Sequence, residues 1–350
     1  MRLLIATVQV PFVRGGAEML ADGLHEALTV AGHEAEIVRL PFKWYPPERL
    51  VEQVLAARLF DLTESSGTAI DRVIGLRFPA YLLPHPNKVL WLLHQYRTAY
   101  DLWGTELCEL MHAPNGEEVR DAIRAADKAF IPEAHLRYTI STNVASRLKA
   151  FCGIHAEALY HPPPAASLLR SAPAEDFLFL PSRFNRTKRQ LLIVDALALC
   201  REPVRVRFSG LSDDAAYARE TRDRIDALAL TGRVDWLDSI GDDAKCDLYA
   251  RCLGVVFAPI DEDYGYVTLE AMLARKPVIT CSDSGGPLEF VRDGETGLVV
   301  EPTAGALAAA MDRLWQDRVT AARWGEAGRE RYDRLDISWE RVVATLTRDA

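Results

Sequence analysis

The chain has no apolar run approaching the roughly 20 residues that span a bilayer. Its densest apolar stretches, such as residues 88–96, are strand-sized. Residues 1–10 lack the charged region, apolar region and small-residue cleavage site of an export signal and read instead as a first core strand, so a cytoplasmic location is expected. Cysteine is sparse. The six residues at 108, 152, 200, 246, 252 and 281 include no C-x-x-C pair, which speaks against a disulfide framework and for buried, reduced thiols. A basic excess is also missing. The net charge is −9, with −3 up to residue 162 and −6 beyond it, and no nucleic-acid partner is expected. Fixed-period repeats and low-complexity tracts are absent. So are the dinucleotide G-x-G-x-x-G, the phosphate loop G-x-x-x-x-G-K-[ST], H-E-x-x-H and G-x-S-x-G. What remains is a globular composition of 350 residues, 49% hydrophobic and 26% charged, long enough for two domains that each bury a core.

The apolar pattern alternates strand-length runs with helix-length ones, the mark of βαβ units and parallel sheets. In the first half, strands are expected at 2–8, 35–40, 71–76, 89–93 and 129–131, and helices at 16–31, 120–126 and 142–151. Residues 161–166 contain three consecutive prolines, which continue neither a helix nor a central strand, and read as an interdomain linker. The alternation then restarts. Strands are expected at 176–181, 203–208, 233–236, 253–258, 277–281 and 297–300. Helices are expected at 188–200, 214–229, 243–251, 267–275 and 286–292, with three more helical segments to the end.

Several loops carry chemistry. After the strand at 253–258, Gly265 permits a tight turn into a helix starting near Tyr266. The N–H groups of Gly265, Tyr266 and Val267 there form a ready anion site. Glu262 in the loop and Glu270 one turn into the helix are able to flank one ligand; an acidic helix entry serving the helix dipole is the plainer alternative. After the strand at 176–181, Arg183, Arg186, Lys188 and Arg189 place four cations in seven residues. Ligands of open α/β sheets bind beyond the carboxyl ends of such strands. Arg183 and Lys188 suit a diphosphate clamp, against the alternative of a solvated charge cluster. Gly285 with Gly286, Gly15 with Gly16, and the strand-end His94 are weaker signals. Asp261 and Asp263 formally match a metal-holding D-x-D pair, but no metal is expected.

Together these residues resemble the family-4 retaining glycosyltransferases of the GT-B fold. The run E-D-Y-G-Y-V-T-L-E-A-M from Glu262 to Met272 matches that family's E-x7-E motif. Gly285, Gly286, Glu289 and Val291, followed by Asp293-Gly294 and Thr296-Gly297-Leu298-Val299-Val300, match its G-G-x-x-E-x-V…G-x-x-G-x-L-V run. Gly15-Gly16-Ala17-Glu18 is similar to its N-terminal Gly-Gly loop, and residues 141–145 and 160–164 resemble its S-x-x-V segment and hinge. The resemblance spans the chain and is most specific from Arg183 to Val300. Four positions depart from it. Tyr264 and Tyr266 replace the usual Phe and Leu, Asp263 replaces a Gly, and Ser182 replaces the Gly before Arg183.

The resemblance implies two Rossmann-like domains with a nucleotide-sugar cleft between them: 1–162 for the acceptor, 163–335 for the donor, and a C-terminal helix in 336–350 that crosses back to the first. It implies that Arg183 and Lys188 neutralise the donor diphosphate with help from the amides near Gly265, Tyr266 and Val267. Glu270 would bind the ribose, Glu262 would contact the transferred sugar, and His94 would lie by its reacting face. Gly15 and Gly16 would leave room for the diphosphate. The implied activity is metal-independent retaining transfer from a UDP- or GDP-linked sugar, a co-substrate with no further cofactor, to a glycan or lipid-linked acceptor in cell-surface polysaccharide or glycoconjugate assembly. A nucleotide-sugar epimerase of related fold and a non-catalytic donor-binding subunit stand as alternatives. Tyr96, Arg97, Tyr100 and Trp103 lie in an aromatic stretch that offers either an acceptor platform or a core patch. With a lipid-linked acceptor, peripheral contact with the inner face of the cell membrane is expected, near Lys43, Trp44, Tyr45, Arg49 and Arg58.

Overall fold

Residues 1–349 are described in a computed structural model, and they divide into two units: Met1–Pro164 with the residues from Ser338 onward, and Ala165–Ile337. Each unit is a parallel six-stranded sheet flanked by helices, the α/β class that the alternation predicts and the Rossmann-like plan that the resemblance implies.

In unit 1 the chain forms β1 (Arg2–Gln9), α1 (Gly16–Val30), β2 (Glu34–Pro41), α2 (Glu48–Leu59) and a short antiparallel hairpin, β3 (Glu64–Ser65) with β4 (Thr68–Ala69). Then come β5 (Arg72–Gly75), β6 (Lys88–Leu92), α3 (Gly116–Phe130), β7 (Leu136–Thr139), α4 (Thr142–Cys152) and β8 (Glu157–Ala158). The sheet order is β2-β1-β5-β6-β7-β8. β5 and β6 are buried at every position because helices cover both faces, the usual state of a parallel sheet. The C-terminal helix Trp339–Thr347 belongs to this unit and packs on α1. Its Trp339 ring fills the space beside Gly23, where a Cβ would lie 2.6 Å from the ring. Arg72 donates to the carbonyls of Leu346 (2.6 Å) and Arg348 (2.9 Å), satisfying acceptors that a helix end leaves open.

One local expectation is corrected here, and one element is new. The run at 129–131 is not a strand. It finishes α3, whose buried face is Val119, Ile123 and Ala126, and Pro132 then ends the regular helix in a single 3-10 turn. The strand that joins the sheet is β7, five residues later. Helix α2 has no counterpart in the sequence reading, because only Leu50, Val54 and Ala57 of its twelve residues are buried and the apolar signal is thin.

Unit 2 runs β9 (Leu178–Pro181), α5 (Gln190–Leu199), β10 (Val206–Ser209), α6 (Ala215–Ala227), β11 (Val234–Leu237), α7 (Asp242–Arg251) and β12 (Gly254–Val256). It continues with α8 (Tyr266–Leu273), β13 (Val278–Cys281), the one-turn α9 (Pro287–Phe290), β14 (Gly297–Val300), α10 (Ala304–Gln316) and α11 (Arg318–Arg334). The period-two alternation sorts side chains cleanly. Leu178, Leu180, Val206, Phe208 and Val256 join one core, while Phe177, Phe179, Val255 and Phe257 join the other. The sheet order is β11-β10-β9-β12-β13-β14. Strand order therefore reverses between β9 and β12. Chains leaving those two strands turn to opposite faces and open a crevice at the carboxyl edge, the place where such sheets hold ligands.

Candidate functional site

The loops after β9 and β12 are the two that flank this crevice, and they carry the cations and the carboxylates picked out above. After β9 the backbone takes a 3-10 turn, Arg186–Lys188, and enters α5 through Arg189 in the left-handed region at φ 54°. After β12 it reaches Gly265 at φ 88° and enters α8. Backbone bonds lace the loops together. Ile260 N–H donates to the Thr187 carbonyl (2.8 Å), Glu262 N–H to that of Ser284 (3.0 Å), and Gly286 N–H to that of Glu262 (2.8 Å). Arg189 adds a fork to Asp283 after β13, with Nη1 to Oδ1 at 2.7 Å. Gly286 must be glycine at this junction, since a Cβ would lie 2.6 Å from the Tyr264 carbonyl oxygen. Gly210, at the end of β10, sits at φ 147°, and its Cβ would meet the Ser182 carbonyl at 2.2 Å. It is what lets the Arg183 loop lie so close to the next strand.

Lys188 reaches across the crevice and pairs with Glu262, so these two predicted residues are in direct contact. The Lys188 side chain is 13% exposed and Glu262 21% exposed, a half-buried pair. Arg183 is farther out, 49% exposed, and pairs with Asp213 at 2.9 Å. The cation pair thus has carboxylate partners that an incoming diphosphate would compete with. Gly265, Tyr266 and Val267 form the N-terminus of α8, whose first turn directs N–H groups outward.

Glu270 is buried at 4% exposure on α8. The Tyr249 hydroxyl donates to its Oε2 at 2.6 Å and Lys245 donates to its Oε1 at 2.9 Å. Burial pulls the Lys245 ammonium down, but the charge and hydrogen bond of Glu270 outweigh this and leave its pKa raised. Burial, reinforced by Glu270, holds the Tyr249 phenol well above its ordinary value, so it stays a donor. Sequence reasoning missed Lys245 and Tyr249. Their i, i+4 spacing on α7 puts both on one helix face and was the available signal. Asp213 and Asp283 were missed as well. Tyr264 is buried against Phe290, ring centroids 5.6 Å apart, and burial pushes the Tyr266 phenol far up.

In unit 1, Gly15 and Gly16 follow β1 and open α1. Gly15 N–H donates to Glu18 Oε2 (2.8 Å), and Glu18 also pairs with Arg77, just after β5 (3.3 Å). His94 follows β6, and its Nδ1 lies 2.6 Å from the Gln95 carbonyl oxygen. The four acceptor candidates follow in the next loop. Tyr100 is 3% exposed with its hydroxyl bound to Asp127 at 2.8 Å, so it is a core residue. Tyr96 packs on Phe78 (5.3 Å) and Phe42 (6.2 Å), and burial raises its pKa to about 12. Arg97 is tied to Asp101 (2.7 Å), and Arg120 covers one face of Trp103 (4.3 Å). Tyr96, Arg97 and Trp103 are half-buried, and of the four only Tyr100 lies in the core. Lys43, Trp44, Tyr45 and Arg49 do come together, lining a groove of about 630 Å³, whereas Arg58 is elsewhere, paired with Glu133. Among the described residues no helix is long and apolar enough to cross a membrane, and no cluster of three or more His, Cys, Asp or Glu is arranged to hold a metal ion.

Residues 169–331 match the sequence model of the family described as Glycosyl transferases group 1. Unit 2 is similar to that family over these residues. Among curated proteins, the alpha-1,3/1,6-mannosyltransferase ALG2 of Dictyostelium discoideum is 33% identical over 123 residues, 35% of this chain and 29% of that protein. The chain spans about half or less of the length of the curated relatives it matches, from 13% to 53%. Two solved structures extend the likeness to the whole fold. A sucrose-phosphate synthase from Thermosynechococcus elongatus superposes with a TM-score of 0.79 at 20% identity, covering 98% of this chain and 97% of that one. HepE from Anabaena, solved with UDP-glucose, does so with a TM-score of 0.72 at 17% identity, covering 99% and 97%. The two units thus follow the GT-B plan.

Proposed function

We propose that the chain is a retaining glycosyltransferase that takes a sugar from a UDP- or GDP-linked donor. The observation that carries this is the meeting of Lys188 with Glu262 at the strand-order reversal of unit 2, beside the N-terminus of α8. Departure of a nucleoside diphosphate builds negative charge on the β-phosphate while the sugar becomes cationic. Lys188, Arg183 and the α8 amides are fixed positive groups placed for the first charge, and Glu262 is a negative group placed for the second. Because the side chains and backbone supply this charge, transfer is metal-independent on this reading. Glu270, held by Tyr249 and Lys245, offers its carboxylate to ribose hydroxyls. The names of ALG2 as an alpha-1,3/1,6-mannosyltransferase and of HepE with UDP-glucose support sugar transfer and a nucleotide-sugar donor. The acceptor is a glycan or a lipid-linked glycan. In the second case the groove of Lys43, Trp44, Tyr45 and Arg49 is the side that meets the membrane.

The test is incubation of the chain with UDP-glucose, UDP-galactose and GDP-mannose, with EDTA present, against a panel of glycan and polyprenyl-linked acceptors. One donor should give a product whose new linkage keeps the donor's α configuration by NMR. A β product, or activity only when a divalent cation is restored, contradicts the reading. Donor interconversion without an acceptor would favour an epimerase.

A further inference from the structure

Gln190, the first residue of α5, has no exposed surface, and the transfer chemistry above does not use it. Its amide nitrogen donates twice, to the Ser182 hydroxyl at 3.1 Å and to the Arg183 carbonyl at 2.9 Å. Its Oε1 is buried with no hydrogen-bond partner among the described residues. The amide cannot be turned over, because its oxygen would then face the Arg183 carbonyl, which only accepts. An unmet buried acceptor costs free energy, and an aliphatic side chain would fill this place without that cost. Packing alone therefore does not account for a glutamine here.

What the amide holds is the main chain at Arg183. The Ser182–Arg183 peptide also lies against Gly210, where a Cβ would come within 2.2 Å of the Ser182 carbonyl oxygen and 3.1 Å of the Arg183 nitrogen. The next residue, Phe184, is buried and stacks on Trp236 with ring centroids 3.8 Å apart, and its N–H donates to the Leu211 carbonyl (2.9 Å). The helix that carries Gln190 is itself anchored in its first turn, where Leu191 N–H donates to the Tyr217 hydroxyl (2.9 Å). Residues 182–184 are thus fixed by α5, by the end of β10 and by β11, while the Arg183 side chain leaves that fixed main chain half-exposed. We propose that Gln190 is a positioning residue for Arg183: by holding the Ser182 hydroxyl and the Arg183 carbonyl, it sets the point from which the guanidinium reaches a nucleoside diphosphate. Ser182, standing where the resembled family has glycine, supplies the amide's second acceptor. This rests on the reading of Arg183 as a ligand of the diphosphate.

The experiment uses the full chain with Gln190→Met and Gln190→Leu, each made alone and together with Arg183→Ala. Both replacements remove the amide and nearly keep the volume, so the outcome does not hang on the folding of one variant. Calorimetric titration of UDP and of GDP reads affinity, and hydrogen–deuterium exchange without nucleotide reads the segment 182–185. With Arg183 in place, each Gln190 variant should weaken binding of the preferred nucleotide about tenfold, the scale of one well-placed charge-assisted hydrogen bond. In the Arg183→Ala background the same replacements should change affinity by less than about twofold, because no guanidinium is left to place. Exchange over 182–185 should quicken about tenfold in both variants, while that over 262–268 stays as in wild type. Equal losses with and without Arg183 would mark general loosening and overturn the proposal. So would wild-type affinity in both Gln190 variants, or unchanged exchange over 182–185. Arg183→Ala binding both nucleotides as tightly as wild type would refute the diphosphate clamp itself. The exchange readout needs no nucleotide, so a failure of that reading and a failure of the positioning role are separately visible.

Discussion

At the residue scale, Lys188 and Arg183 differ in how deeply they are committed to the fold. Lys188 is half-buried against Glu262, while Arg183 is half-exposed and touches Asp213 at the surface. Exposed ion pairs contribute little to stability, so Arg183 is not there mainly to hold the domain together. Lys188→Ala and Arg183→Ala should each lower kcat/KM by about 100- to 1,000-fold, the cost typical of removing one charge-stabilising group, with the melting temperature within a few degrees of wild type. Wild-type turnover in both would remove the diphosphate clamp.

Two buried titratable groups of unit 1 give a second prediction at this scale. Burial depresses the His161 imidazole from 6.5 to about 3. The unfolded chain therefore takes up a proton that the native chain refuses, and stability falls as pH drops below 6.5, by about 1.4 kcal/mol per unit. Burial raises the Asp127 carboxyl from 3.8 to about 6, partly offset by its three hydrogen-bond donors. Here the native chain holds the proton more tightly, so stability rises as pH falls from 6 toward 4. The two slopes oppose each other in that window. Asp127→Asn should expose the His161 loss: its urea midpoint should fall more steeply than that of wild type between pH 6 and pH 4.5. Parallel profiles would show that the two groups do not titrate as described.

At the scale of elements, the site depends on close backbone approaches between loops. Gly286 lies against the Tyr264 carbonyl and donates to that of Glu262, so Gly286→Ala must push the Glu262 loop away. Overpacking of this kind costs about 1–3 kcal/mol and should weaken nucleotide binding about tenfold. Gly305→Ala is the control, because a Cβ there has no atom within 4 Å. Calorimetric titration of a nucleoside diphosphate into both variants separates them; equal binding would mean the Glu262 loop does not shape the pocket.

Elements also show what was legible. The β12–α8 junction was readable because a buried strand, one glycine in the left-handed region and an apolar helix face follow one another within twenty residues. The partners of Glu270 were not, since Lys245 and Tyr249 come from a helix whose packing is set by the sheet order. The aromatic stretch at 91–103 looked the same as platform or core until Asp127, far along the chain, was placed beneath Tyr100. Helix α2 buries too few side chains to stand out, and the strand expected at 129–131 was the apolar end of a helix.

At the scale of the molecule, each unit has a parallel sheet of its own, and the two sheets are used differently. Unit 2 has the strand order of nucleotide-binding sheets, with the cationic and acidic loops on the two strands where that order reverses. Unit 1 brings Gly15, Arg77 and His94 to the carboxyl edge of its own sheet, each just after β1, β5 or β6. The central claim is that the loops of unit 2 bind a nucleoside diphosphate through Lys188. Thermal melting of wild type and Lys188→Ala with UDP, GDP and ADP, in EDTA, tests it most directly. The account predicts that one of these raises the wild-type midpoint by several degrees, since ligand at 100 times its Kd adds about 2.7 kcal/mol, and that Lys188→Ala loses the shift. No shift with any nucleotide, or an equal shift in Lys188→Ala, would contradict it.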